Sequence, residues 1–131
     1  MINPSDVKGI SIFIELVKAR PEIKFAAIPS WGTTPSQRKE LEALDNLTLI
    51  PPSSDLDSIF KQTRVLLMPS LWQEGYGMAC VDAMLRGVPV ISSDQGGLPE
   101  AKLGTDFIIP VNPITGYTNC LLYTSPSPRD A

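Results

Sequence analysis

Histidine is absent from this sequence, and with it go the commonest general base and the commonest zinc ligand. Any catalysis by this chain does without an imidazole. Cysteine is almost as scarce: Cys80 and Cys120 lie far apart, and Cys80 falls inside an apolar helical pattern, so no disulfide framework is expected. That pattern implies a reducing compartment, and the cytoplasm is the expected location. No apolar run reaches the length that spans a bilayer, and the opening MINPSDVKG has neither a basic n-region nor an apolar h-region. No membrane span is expected. Blocks of like charge are also missing, and with a net charge of -3 nothing suggests a nucleic-acid groove or an anionic membrane surface as partner. Small ligands remain open.

What is present is enough apolar material for one core. The 131 residues are 43% hydrophobic, which suits one layered domain and not two. Short aliphatic runs recur at Ile23 to Ile28, Leu47 to Ile50, Val65 to Met68, Val90 to Ser92 and Phe107 to Ile109, with helical patterns between them. That alternation predicts βαβ units around a parallel sheet. The runs are apolar at successive positions, as in strands covered on both faces. From Gly9 to Arg20, Ile10, Phe13, Ile14 and Val17 form one stripe that Pro21 ends. Thr34, Pro35 and Gln37 read as an N-cap, a first-turn proline and a capping-box partner. Ser54 is the expected cap of a third helix, Gly77 to Arg86 a fourth with Gly87 as its stop, and Leu98-Pro99 opens a short fifth.

Both ends read as incomplete. Met1-Ile2-Asn3-Pro4 resembles the last residues of a first strand. At the other end CLLYTSPSPRD, Cys120 to Asp130, has no periodicity and resembles a translated sequencing adaptor, so residues 120–131 are set aside as a non-native, disordered tail. The expected domain is 1–119.

The chemistry concentrates in LWQEGYGMACVDAML, Leu71 to Leu85. It follows the strand ending at Met68, so its acids and glycines sit at the carboxyl edge of a parallel sheet, where open α/β folds bind ligands. Gly75 and Gly77 let backbone N–H groups approach a ligand where a helix and its positive dipole end begin. A phosphate fits there. Eight residues separate Glu74 from Asp82, roughly 12 Å at helical rise, about the span of a sugar and a ribose joined by a diphosphate. An ordinary polar loop with helix-starting acids accounts for the same spacing equally well.

The longer stretch PSLWQEGYGMACVDAMLRGVPVISSDQGGLPEAKLG, Pro69 to Gly104, with RVLLMPS before it and Lys8-Gly9 upstream, resembles the donor-binding half of GT-B glycosyltransferases of family 4, the group 1 glycosyltransferase domain. The resemblance runs from Asn3 to about Pro113. It implies a Rossmann-like doubly wound α/β domain, the C-terminal half of a GT-B fold, in a retaining enzyme that moves a hexose from a nucleoside-diphosphate sugar to a hydroxyl acceptor without a metal or other cofactor. By resemblance Glu74 contacts the donor sugar and, with Lys8, serves catalysis; Lys8 neutralises the diphosphate. Gly75, Tyr76 and Gly77 hold phosphate or sugar oxygens by their amides. Asp82 stands where the family usually has Glu, one methylene longer, so a bridging water to the ribose is implied. Gly96 and Gly97 border the donor, or form a turn feeding the fifth helix. The acceptor site belongs to an N-terminal domain this chain lacks, so the fragment is expected to bind donor without turnover. A UDP-sugar 2-epimerase of the same architecture and a non-catalytic flavodoxin-like nucleotide module are the other two readings, the latter leaning on Asp6 as phosphoacceptor.

Three features are read as structural, and a fourth stays open. Asp55-Leu56-Asp57 resembles the metal-binding acid pair of the other large glycosyltransferase fold but opens an amphipathic helix, so it reads as N-terminal acid. Trp72 reads as packing and Cys80 as a small core residue. Trp31, on the ligand edge, either stacks near the nucleoside or covers the sheet end.

Overall fold

The structure is a computed structural model that describes residues 1–115. The reading of Cys120 to Asp130 as a non-native tail lies outside the described residues. Helices and strands alternate: α1 (Ile10–Ala19), β1 (Phe25–Ala27), α2 (Pro35–Glu42), β2 (Leu47–Leu49), α3 (Leu56–Phe60), β3 (Leu66–Met68), α4 (Met78–Leu85), β4 (Val90–Ser93), α5 (Leu98–Ala101) and β5 (Ile108–Ile109). The strand pairs are parallel, with Phe25 opposite Leu47, Leu66 opposite Val90 and Ser92 opposite Ile108. Thus the parallel α/β alternation read from the aliphatic runs is present.

It differs from expectation in forming two sheets, β1-β2 and β3-β4-β5, instead of one. The reason lies between β1 and β3. Ile2 bridges Ile28 in parallel, and the amides of Asn3 and Ile28 close that bridge at 2.9 Å each. This is only the end of a strand, and a groove of about 680 Å³ lined by Met1, Ile2, Phe25, Leu66 and Leu67 lies between the two sheets. The expectation of a sheet covered on both faces is also corrected. Ile109 is 51% exposed, and a second, smaller recess opens over β3-β4-β5 between Ile12, Leu67, Ile91 and Val111.

Two cores support the halves. Around β1-β2, the stripe Ile10, Phe13, Ile14 and Val17 is buried as its spacing predicts, with Ala27 and Leu41; Phe13 meets Phe25 edge-on at 5.9 Å. Around β3-β4-β5, α4 and α5 bury Cys80, Ala83, Leu98 and Ala101 against Leu66 and Val90. Lys102 is fully buried there; its Nζ donates to the carbonyls of Val90 and Asp106, tying β4 to the turn before β5. The α2 start is the capping box read from Thr34 and Gln37. On α3 the cap is Asp55, which accepts from the Ser58 amide at 3.1 Å, and not Ser54. Asp55 takes the role because its carboxylate lies three residues before that amide.

Asn46 is the point where α1, the following turn and β2 meet. Its Nδ2 lies within hydrogen-bond reach of the carbonyls of Val17, Arg20 and Ile23 at 3.0, 3.0 and 3.1 Å, serving Val17 near the end of α1 and the turn that follows. Asn46→Leu is expected to lower unfolding free energy by about 1–3 kcal/mol, measured by urea denaturation. An unchanged midpoint would show that water serves these carbonyls equally well.

Candidate functional site

The site is assembled where β3 ends against the start of α1. Gly9 sits so close to the end of β3 that a Cβ on it would lie 1.9 Å from the Pro69 carbonyl oxygen, and its φ of +81° is one that L side chains rarely adopt. Two residues on, the Leu71 amide donates to the Val7 carbonyl at 2.9 Å. These contacts bring Lys8 beside a loop far away in sequence. Lys8 Nζ lies 2.6 Å from Glu74 Oε1, and Ser70 Oγ donates to the same oxygen at 2.5 Å. Lys8 Nζ is also 5.9 Å from the centre of the Trp72 ring. The Lys8 and Glu74 side chains are only 22% and 9% exposed, so each partner lacks most of the water that would otherwise solvate it.

Behind Glu74 stands the Gly96-Gly97 turn. A Cβ on Gly96, whose φ is +60°, would lie 2.2 Å from the Glu74 carbonyl oxygen and 2.4 Å from its nitrogen. One on Gly97 would lie 2.5 Å from the Gly75 carbonyl oxygen. The Gly97 amide donates to the Glu74 carbonyl at 2.8 Å. The two glycines therefore clamp the backbone of the acid loop from beneath. In front, Gly75 has nothing within 4 Å of the position its Cβ would take, and Tyr76 is 44% exposed. That face is open.

The helix starts divide into two kinds. Thr34 and Asp55 cap α2 and α3 with their side chains. By contrast α1, α4 and α5 begin at Gly9, Gly77 and Gly97 with no side-chain cap. These three glycines line the margins of the Glu74 loop. In α4 the first amides therefore carry the positive end of an eight-residue helix to the surface beside Glu74 without a side chain to satisfy them.

The structure thus gathers Lys8, Glu74, Gly75, Tyr76, Gly77, Gly96 and Gly97 at one place. Asp82 follows later in the chain, inside α4. It lies in the second turn of α4 with Arg86 Nη1 at 3.7 Å, and Arg86 in turn bonds Asp57 at 2.6 Å. Since α4 begins at Met78, half of the spacing between Glu74 and Asp82 is loop, and the helical-rise distance does not apply. The Asp55-Leu56-Asp57 acids are structural, one a cap and the other held below the usual carboxylate range by hydrogen bonding to Arg86. Asp6 accepts from Gln37 Nε2 at 3.0 Å, which occupies one oxygen of the carboxylate the flavodoxin-like reading relies on. Trp31 is 76% exposed and does not cover the sheet end. Burial pushes the Cys80 thiol up, with Lys102 opposing weakly, so it stays protonated as a core residue. Among the described residues no group of three His, Cys, Asp or Glu converges as a metal site, and no helix is long and apolar enough to cross a membrane. Ser70 is the participant that sequence reasoning missed; its only signal was a polar residue directly after Met68-Pro69.

Comparison with known proteins gives three kinds of likeness. The family described as "Glycosyl transferases group 1" matches residues 5–112. A D-inositol 3-phosphate glycosyltransferase of Mycolicibacterium vanbaalenii is 36% identical over 64 residues, 47% of this chain and 14% of its own length. An uncharacterized 42.6 kDa protein of the cps region of Klebsiella pneumoniae is 27% identical over 93 residues, 71% of this chain and 25% of its own. Among solved structures, Anabaena HepE in complex with UDP and glucose shares the fold with a TM-score of 0.69 at 20% identity, covering 85% of this chain and 33% of that one. HepE in complex with UDP-glucose gives 0.68 at 20% identity, covering 83% and 33%. The chain therefore spans a third or less of the length of each of these proteins.

The clamp under the acid loop is open to a direct check. Gly96→Ala is expected to destabilise the fold by about 1–3 kcal/mol, because the methyl group meets fixed backbone and the residue is held at positive φ. Gly75→Ala, facing open space, is expected to stay within about 0.5 kcal/mol of the parent. Thermal melts of the two variants side by side decide this, and equal melting temperatures would remove the clamp.

Proposed function

The chain belongs to the group 1 glycosyl transferases, and from that premise we propose that it is the donor-binding part of a retaining enzyme that moves a hexose from a nucleoside-diphosphate sugar to a hydroxyl acceptor. The observation that carries this reading is the Glu74 carboxylate, held on one oxygen by Lys8 and Ser70 beside the uncapped start of α4. A diphosphate placed there meets free amides, a helix dipole and the Lys8 ammonium together. Glu74 then faces the sugar end of the donor as an acceptor for its hydroxyls, and the bare flank of Gly75 lets ligand oxygens reach the backbone.

In the transfer, the bond between the anomeric carbon and the diphosphate oxygen breaks, and its electron pair leaves with the diphosphate. The acceptor oxygen bonds the anomeric carbon on the same face and gives up its proton to the departing phosphate. The developing negative charge is met by Lys8 and the α4 amides, which are already in place before reaction and need no reorientation. This reading assigns that work to the protein's own groups, without a metal. Asp82 serves the ribose hydroxyls through water, after exchange with Arg86. In this reading the acceptor substrate that carries the hydroxyl is bound by a further domain of a longer protein, so the 131-residue chain binds donor without turning it over. The epimerase alternative gains no specific observation from the site.

Calorimetric titration with UDP- and GDP-sugars tests the reading. Binding is expected for the parent chain, and Glu74→Ala or Lys8→Ala should weaken it about tenfold or more, the scale of a lost hydrogen bond to a charged group. Variants that bind as the parent does would refute the site.

A further inference from the structure

Resting on the donor-site reading above, we infer that Ser70 is a positioning residue for Glu74, and that it sets the oxygen Glu74 offers to the donor sugar. Both recorded bonds to this carboxylate converge on Oε1, from Lys8 at 2.6 Å and from Ser70 at 2.5 Å. Among the described residues Oε2 has no such donor, and it is the oxygen this inference assigns to the sugar. A carboxylate with two donors on one oxygen has its terminal torsion fixed, although that torsion is otherwise broad.

The two donors are not equivalent. Lys8 has a long side chain whose ammonium swings readily, and the proposed diphosphate competes for it directly. Ser70 is 1% exposed, directly after the strand end at Met68 and next to Pro69, whose carbonyl abuts Gly9. Its hydroxyl has Glu74 as its recorded partner and no solvent to turn to. When Lys8 turns to phosphate, the Ser70 hydroxyl is what still holds the carboxylate. Its effect therefore falls on the sugar and not on the nucleotide, which makes the contact detectable apart from simple stability.

The experiment measures UDP and UDP-glucose affinity of the 131-residue chain by calorimetry for the parent, Ser70→Ala, Ser70→Thr and Ser70→Cys. Ser70→Ala is expected to leave UDP affinity within about twofold while weakening UDP-glucose about tenfold, with Ser70→Thr restoring it. Ser70→Cys, which keeps the volume and donates poorly, gives an intermediate loss and replaces the alanine variant should that one not fold. Equal weakening of both ligands, or of neither, overturns the inference. A parent chain that binds neither ligand sinks the donor-site reading instead. In that event the carboxyl carbon resonance of Glu74 in ¹³C-glutamate-labelled protein still decides for Ser70. It should move in Ser70→Ala and return in Ser70→Thr, and an unmoved signal overturns the positioning role.

Discussion

The structure turns on how Glu74 is held. Its backbone is clamped by Gly96 and Gly97 from below, and its side chain is held by Lys8 and Ser70 from the side. Each of these comes from a different crossover of the α/β fold: Lys8 before α1, Ser70 after β3, and the glycine pair after β4. A carboxylate only 9% exposed is costly unless its oxygens find donors. Here the donors are carried to one sheet edge by parallel pairing, which puts every strand end in a sheet on the same side.

The glycines do more than permit turns. Gly9 and Gly96 are places where chain touches chain so closely that no side chain fits. That closeness makes the Lys8-Glu74 pair short. Gly9, Gly77 and Gly97 leave α1, α4 and α5 without side-chain caps, whereas α2 and α3 carry theirs. The two halves of the molecule meet through the approach of Gly9 to Pro69 and through Leu67 of β3, which packs against the core around β1-β2. The catalytic architecture proposed for the family is therefore also a structural seam.

Sequence reading went furthest where chemistry is local. The stripe on α1, the Thr34 capping box, the parallel strands and the core role of Cys80 follow from side-chain type and spacing, and all are present. The grouping of Lys8 with Glu74 was legible only because the longer motif resembles a known family; the two residues are 66 positions apart and no periodicity links them. Asp82 shows the converse. Half of the eight residues between it and Glu74 are loop, so the helical-rise distance read from the spacing does not apply, and Arg86 Nη1 lies 3.7 Å from its carboxylate. The Ser54 cap failed at shorter range, because Asp55 reaches the Ser58 amide.

What the sequence determined by itself was the class of fold, the position of each helix and the loop that carries the acids, since these depend on patterns within a few residues. Which oxygen of Glu74 is bound and which side of the loop is open were decided only by tertiary structure. Both follow from close approaches between segments tens of residues apart, and such distances are set by packing of the whole chain, not by any local preference.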